Sequence, residues 1–205
     1  EDAGIRILDI PLKTGLVAQI DGAHPGPLVV LRADIDALPI HEETELEFVS
    51  QNSGVMHACG HDFHAAALFG AALLLKEKAS DLAGSVRLLF QPAEETGLGA
   101  PDIIKAGVLD GASAIFGLHN DPNIPVGVLA SKDSVLTASV DRFEIKITAK
   151  GSHAARPHEG NDPVIIIGQI INAVQSVISR NVASENNAIV SITHVKCGNT
   201  WNVIA

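Results

Sequence analysis

Positive charge, cysteine and long apolar runs are all scarce in this chain of 205 residues. Lys and Arg number 14 against 24 Asp and Glu, a formal net charge of −10. Phosphate groups are bound by Lys and Arg, so this balance excludes a nucleic-acid partner and equally an anionic membrane surface. Two cysteines, Cys59 and Cys197, cannot build a disulfide framework, and a reducing cytoplasm is the expected compartment. The longest apolar run, residues 65–75, is broken by Gly70 and is too short to cross a bilayer. No signal-peptide pattern opens the chain, and no Met stands at its start, so the expectation is that the natural N-terminus lies upstream. Internal repeats and low-complexity stretches are absent too. What remains is globular composition: 46% hydrophobic and 19% charged residues, with 18 Gly and 10 Pro, ample for a buried core. At roughly 150 residues per domain the length falls between one domain and two.

The hydrophobic pattern changes character along the chain. Residues 28–31, 86–90 and 114–118 are nearly continuous apolar runs, the signature of strands covered on both faces. Between them, residues 62–79 are rich in Ala and Leu and end near Lys76 and Lys78, as a helix C-terminus favours, and a shorter helix is expected at 101–106, stopped by Gly107. Alternating β and α segments with buried strands predict an α/β sheet. After about residue 136 the pattern differs. In 141–149, Phe143, Ile145, Ile147 and Ala149 alternate with Arg142, Glu144, Lys146 and Thr148, which predicts a half-exposed strand. A helix follows, with Asp162 placed to cap it, Pro163 in its first turn, and an apolar stripe of Ile167, Ile170, Ile171, Val174, Val177 and Ile178. A second alternating strand is expected at 188–195. The reading is of two domains, 1–135 and 136–205, the second a smaller α+β unit.

Polar residues gather directly after the buried strands. Asp34 and Asp36 follow 28–31, Glu94 and Glu95 follow 86–90, His119 follows 114–118, and the segment MHACGHD (56–62) places Cys59 and His61 just before a helix. In open α/β sheets ligands bind beyond the carboxyl ends of the strands, so these groups converge there. Cys, His, Glu and His in one crevice form a metal-ligand set compatible with zinc, manganese, nickel or cobalt, and Asp34 adds a carboxylate. The residues alone leave a second reading open, a cysteine hydrolase using Cys59 with His61 or His119.

The same residues carry a family resemblance. The segments VLRADIDALP (30–39), MHACGHD (56–62), QPAEETG (91–97), GLHND (117–121) and GSHAARPHEGNDP (151–163) resemble the aminoacylase/carboxypeptidase metallopeptidases, in the branch of hippurate hydrolase-like and auxin-conjugate amidohydrolases. The resemblance implies a phosphorylase/hydrolase-like α/β catalytic domain with an inserted ferredoxin-like α+β lid that dimerises. It implies two divalent metal ions, manganese or zinc, and hydrolysis of the amide bond of N-acyl amino acids or small peptides. Carried over by motif, Cys59, His61, Glu95 and His119 become metal ligands, and Glu94 the catalytic base. Asp34 becomes the aspartate that orients the metal centre, with Arg32 standing where other branches place a ligand histidine. His153 becomes a lid histidine that reaches a neighbouring subunit's site to steady the oxyanion. Asn202, in NVIA where the family reads NVIP, becomes a substrate contact. His57, His64 and His158 are read as structural or supporting. The family's centre also takes a histidine from a segment after the lid, which this sequence does not contain. The expectation is therefore that both domains are incomplete parts of a longer enzyme. A non-catalytic or vestigial module is the alternative.

Overall fold

The computed structural model describes residues 2–205, which form two compact units dividing between Ser131 and Lys132. The first is a mixed α/β unit. Its strands are β1 (Arg6–Ile7), β2 (Leu16–Asp21), β3 (His24–Asp34), β4 (Ala83–Gln91) and β5 (Ala112–Gly117), and its helices α1 (His61–Glu77) and α2 (Gly99–Lys105). The sheet order is β1-β2-β4-β3-β5. Strands β3, β4 and β5 are mutually parallel where they pair, with Asp34 opposite Gln91 and Arg32 opposite Gly117, while β2 runs antiparallel to β4.

The apolar runs of β3 and β4 have the cause expected of them, whereas the run at 114–118 does not: β5 is the edge strand of the sheet, and Ile115 and Phe116 are exposed. Neighbouring residues of one strand point to opposite faces, so a strand covered on both sides must be apolar at every position. On one face Ala18, Ile20, Ala33 and Leu88 pack with Leu68 and Ala72 of α1. On the other, Val17, Val30 and Leu89 pack with Ile103 of α2 and with Val108. The helix expected at 62–79 is α1 and that at 101–106 is α2. The helix α1 begins at Gly60, whose φ of 81° lies in the left-handed region open to glycine. The helix α2 gives way to Gly107, which also has a positive φ.

The second unit, Lys132–Ala205, holds the short antiparallel pair β6 (Ser152–His153) and β7 (Val203–Ile204) and the helix α3 (Pro163–Asn181). The Asp162 carboxylate accepts the Val164 N–H at 2.9 Å and Pro163 occupies the first turn, so the helix start matches its sequence signal. The two alternating strands expected at 141–149 and 188–195 are not formed. Alternation records which face of a segment would be buried, but a strand also needs a neighbour for its N–H and C=O groups, and neither segment has a ladder partner. Residues 142–149 and 191–198 instead line a cavity of about 1020 Å³ together with Pro163, Ile167, Ile170 and Ile171 of α3. By length and apolarity alone α3 could cross a bilayer. Its amides Gln169, Asn172 and Gln175 nonetheless give the helix a polar face opposite the apolar stripe.

Candidate metal centre

Three chain crossings deliver the site. Strand β3 ends at Asp34 and continues to Asp36, β4 ends at Gln91 and leads into the turn carrying Glu94 and Glu95, and β5 ends at Gly117, two residues before His119. The loop before α1 brings Cys59 and His61 to the same end of the sheet. The turn after β4 holds Ala93 at φ 55°, an unusual conformation for a residue with a Cβ, and Gly97 N–H closes it on the Glu94 carbonyl at 2.8 Å. Consecutive side chains of an extended segment diverge; this turn lets both glutamates face one point.

That point is His61, which is fully buried. Its Nδ1 lies 3.0 Å from the Asp36 carbonyl and 3.1 Å from the Asp36 carboxylate, so Nδ1 carries the proton and donates it to Asp36. Its Nε2 is then a lone-pair atom, buried and without any hydrogen-bond partner. Around it stand carboxylate oxygens of Asp34 at 3.6 Å, Glu95 at 3.9 Å and Glu94 at 4.0 Å. A lone pair facing three carboxylates is repulsive and unsatisfied unless a cation lies among them. His119 has the same polarity: its Nδ1 donates to the Asn120 carbonyl at 2.7 Å, leaving Nε2 directed at the Cys59 sulfur, 3.5 Å away. Cys59, His61 and His119 form one donor group, and His61, Glu94 and Glu95 another sharing His61. The residues therefore fit a divalent cation, on the chemistry of the donors and on the orphaned Nε2.

The local electrostatics agree. Burial pushes the Cys59 thiol up, and the Glu95, Glu94 and Asp34 carboxylates raise it further. Such surroundings oppose the thiolate that a cysteine nucleophile needs, while a bound cation reverses the balance. Burial would also raise Asp34, but the His64 hydrogen bond and the charges of Arg32, His61 and His64 outweigh it and hold the carboxyl below its ordinary value.

The structure brings together Cys59, His61, Glu94, Glu95, His119 and Asp34. It also gives an orienting contact on His61 to Asp36, a residue to which the sequence reading had assigned no role. The reason is valence: Asp34 is engaged on one oxygen by the Arg32 guanidinium at 2.8 Å and on the other by His64 Nδ1. Asp36 holds His61 with one oxygen and accepts the Glu95 backbone N–H at 2.9 Å with the other. Two signals in the sequence could have exposed this. Asp34 and Asp36 have the two-residue spacing of one strand face, and His61 and His64 the three-residue spacing of one helix face. Arg32 also bonds Gln91, 2.9 Å from its Nε, and so ties β3 to β4 beneath the site.

His153 and Asn202 both belong to the second unit. They are adjacent there, since His153 pairs with Val203 and the Ala154 N–H donates to the Asn202 carbonyl at 3.1 Å. His153 Nδ1 accepts the Ala155 N–H at 3.1 Å, which leaves its proton on the exposed Nε2. The Asn202 side chain accepts from Thr200 at 3.0 Å.

Donors from one thiol, two imidazoles and paired carboxylates, gathered at the carboxyl ends of parallel strands, define an α/β protein with a candidate divalent-metal site. The chain belongs to peptidase family M20/M25/M40, whose family profile matches residues 30–196. It is 55% identical over 205 residues to an N-acetylcysteine deacetylase of Bacillus subtilis, covering 100% of this chain and 54% of that protein. An IAA-amino acid hydrolase of Arabidopsis thaliana is 44% identical over 191 residues, 93% of this chain and 44% of its own length. Among solved structures, a dinuclear metal-binding peptidase of the same family from Bacillus subtilis superposes with a TM-score of 0.75 at 45% identity, covering 98% of this chain and 52% of that one. The chain thus spans about half the length of the curated relatives it matches.

Proposed function

We propose that this chain carries the metal-binding half of a hydrolase that cleaves the amide bond of N-acyl amino acids or small peptides, using two divalent ions, manganese or zinc. The observation that carries the reading is the buried, unpartnered His61 Nε2 among three carboxylates. Cys59, His61, Glu95 and His119 are the proposed ligands. When bound, the ions would polarise the scissile carbonyl and lower the pKa of attacking water. Glu94 is assigned the proton: its side chain is 42% exposed against 29% for Glu95, and it is Glu95 whose backbone N–H is held by Asp36 and whose carboxylate accepts a hydrogen bond from Cys59. A carboxylate free of metal keeps the affinity needed to take a proton from water and hand it to the departing nitrogen. Asp34 supports the centre from behind.

In the same reading the second unit is a lid. His153, with its proton on an exposed Nε2, is the donor for the developing oxyanion, and it acts on the site of a second copy of the chain, so a homodimer belongs to the proposal. Asn202, beside it, contacts substrate. The substrate class is supported by the relatives, among them an N-acetylcysteine deacetylase and an IAA-amino acid hydrolase. A reducing, cytoplasmic setting suits a centre that depends on a free Cys59, and both cysteines are free.

The test is hydrolysis of N-acyl amino acids before and after exhaustive chelation. Chelation is expected to abolish activity and added Mn²⁺ or Zn²⁺ to restore it, and Glu94→Gln should lower kcat about 10²–10⁴-fold with metal still bound. Activity that survives chelation sinks the reading. The half-length match favours one further possibility, a module that holds metal without turnover. It predicts metal uptake with no hydrolysis by the 205-residue chain.

A further inference from the structure

His64 has no place in the chemistry above, yet it is fully buried, three residues after His61 on α1. Both of its ring nitrogens are spoken for. The Asn120 backbone N–H donates to Nε2 at 3.0 Å, so Nε2 must be the unprotonated nitrogen, and Nδ1–H donates to Asp34. Asp34 is in turn fixed by Arg32, which is fixed by Gln91. The chain of contacts therefore runs from the β3–β4 pair through a single imidazole to the residue directly after His119. The His64 ring clusters with both neighbours, its centroid 5.3 Å from His61 and 4.7 Å from His119, which are themselves 6.2 Å apart. The Asn120 side chain is seated on Gly60, where a Cβ would come within 2.5 Å of its Oδ1. The loops bearing Cys59 and His119 thus meet at Gly60 and Asn120.

We propose that His64 is a positioning residue: held in one tautomer by Asp34, it pins the Asn120 amide and so aims His119 at Cys59. This rests on the metal-centre reading, and it assigns a purpose to an imidazole that touches neither metal nor substrate. The alternative is that His64 only fills space in the interior.

Two substitutions separate these. In His64→Gln the side-chain carbonyl reaches the position of Nε2 and can still accept the Asn120 N–H. In His64→Asn the shorter amide reaches only the position of Nδ1 and loses it. The probe is Co²⁺ alone, titrated into the full chain and read by the thiolate-to-cobalt absorption of Cys59, with amide hydrogen exchange at Asn120 followed in the metal-free protein. Expected results are Co²⁺ affinity within about threefold of the parent for His64→Gln and roughly 10–100-fold weaker for His64→Asn, the range typical of contacts supporting a ligand. Asn120 exchange should be slow in the parent and His64→Gln and fast in His64→Asn. Equal losses in both variants, or unprotected Asn120 in the parent, overturn the proposal. If the parent shows no Co²⁺–thiolate band, the metal-centre reading fails, while Asn120 exchange in the three proteins still decides the pinning by His64.

Discussion

The two units of this chain treat the same raw material differently. In the first, the apolar residues of β2, β3 and β4 find partners on both sheet faces, and Val30, Leu88 and Leu89 are at most 1% exposed. In the second, an equally apolar set stays open: Phe143 is 51% exposed and Ile171 38%, and Pro163 is its buried residue. Hydrophobic content is similar, but the first unit has a five-stranded sheet to receive it and the second only the two-residue pair β6–β7. The contrast teaches that burial follows from pairing as much as from composition, because a segment cannot bury its backbone groups without a ladder.

The sharpest way to break the contrast is a pair of truncations. Leu88→Ala removes packing from a closed core and should cost about 2–5 kcal/mol in urea unfolding. Ile171→Ala, on the open stripe of α3, should cost under about 0.5 kcal/mol, as exposed positions do. Comparable losses at the two sites would mean that the stripe is covered in solution. A smaller effect tests what holds the second unit together locally. Asp162→Ala removes the α3 cap and should cost about 1 kcal/mol, with helical circular dichroism falling more than sheet signal. An unchanged helix would mean that α3 is secured by tertiary packing after all.

The smallest effect belongs to the sheet's rim. Asp21 is lowered from 3.8 to about 2 by hydrogen bonds from Gln19, Arg6 and Ser85. A depressed carboxylate contributes stability that is fully present above its unfolded pKa and lost as pH falls through the folded one, so the window is about pH 4 down to 2. Its side chain is 52% exposed, which screens the interaction and keeps the contribution below about 1 kcal/mol. Asp21→Asn should flatten the loss of stability across that window in the first unit. Parallel loss in parent and variant would remove Asp21 as a cause.

Strands β3 and β4 were legible because burial on both faces leaves an uninterrupted apolar run, and the helices because Lys76 and Gly107 mark their ends; β5 carries the same kind of run yet lies exposed at the sheet edge. The placement of β2 beside β4 was not legible, since antiparallel pairing across more than sixty residues leaves no local trace in LVAQID. The strands expected at 141–149 and 188–195 failed for the same reason in reverse: alternation is local and a ladder partner is not. At the site, the types and strand-end positions of Cys59, His61, Glu94, Glu95 and His119 sufficed to foresee their meeting. The roles of Asp36 and His64 were hinted at only by their spacing from Asp34 and His61, because each depends on which lone pair or proton the neighbour has left over.

The pairing of β3 with β4 and β5 has a consequence for assembly itself. A slip of one residue along either ladder would carry Glu95 or His119 about 3.3 Å and turn it to the opposite face. Metal–ligand bonds tolerate only about 0.2 Å. Any cation held by this cluster therefore binds the correctly aligned sheet alone and adds its binding free energy to that alignment. The centre would serve as an inspector of the finished scaffold, rewarding the one arrangement in which three distant stretches of chain arrive together.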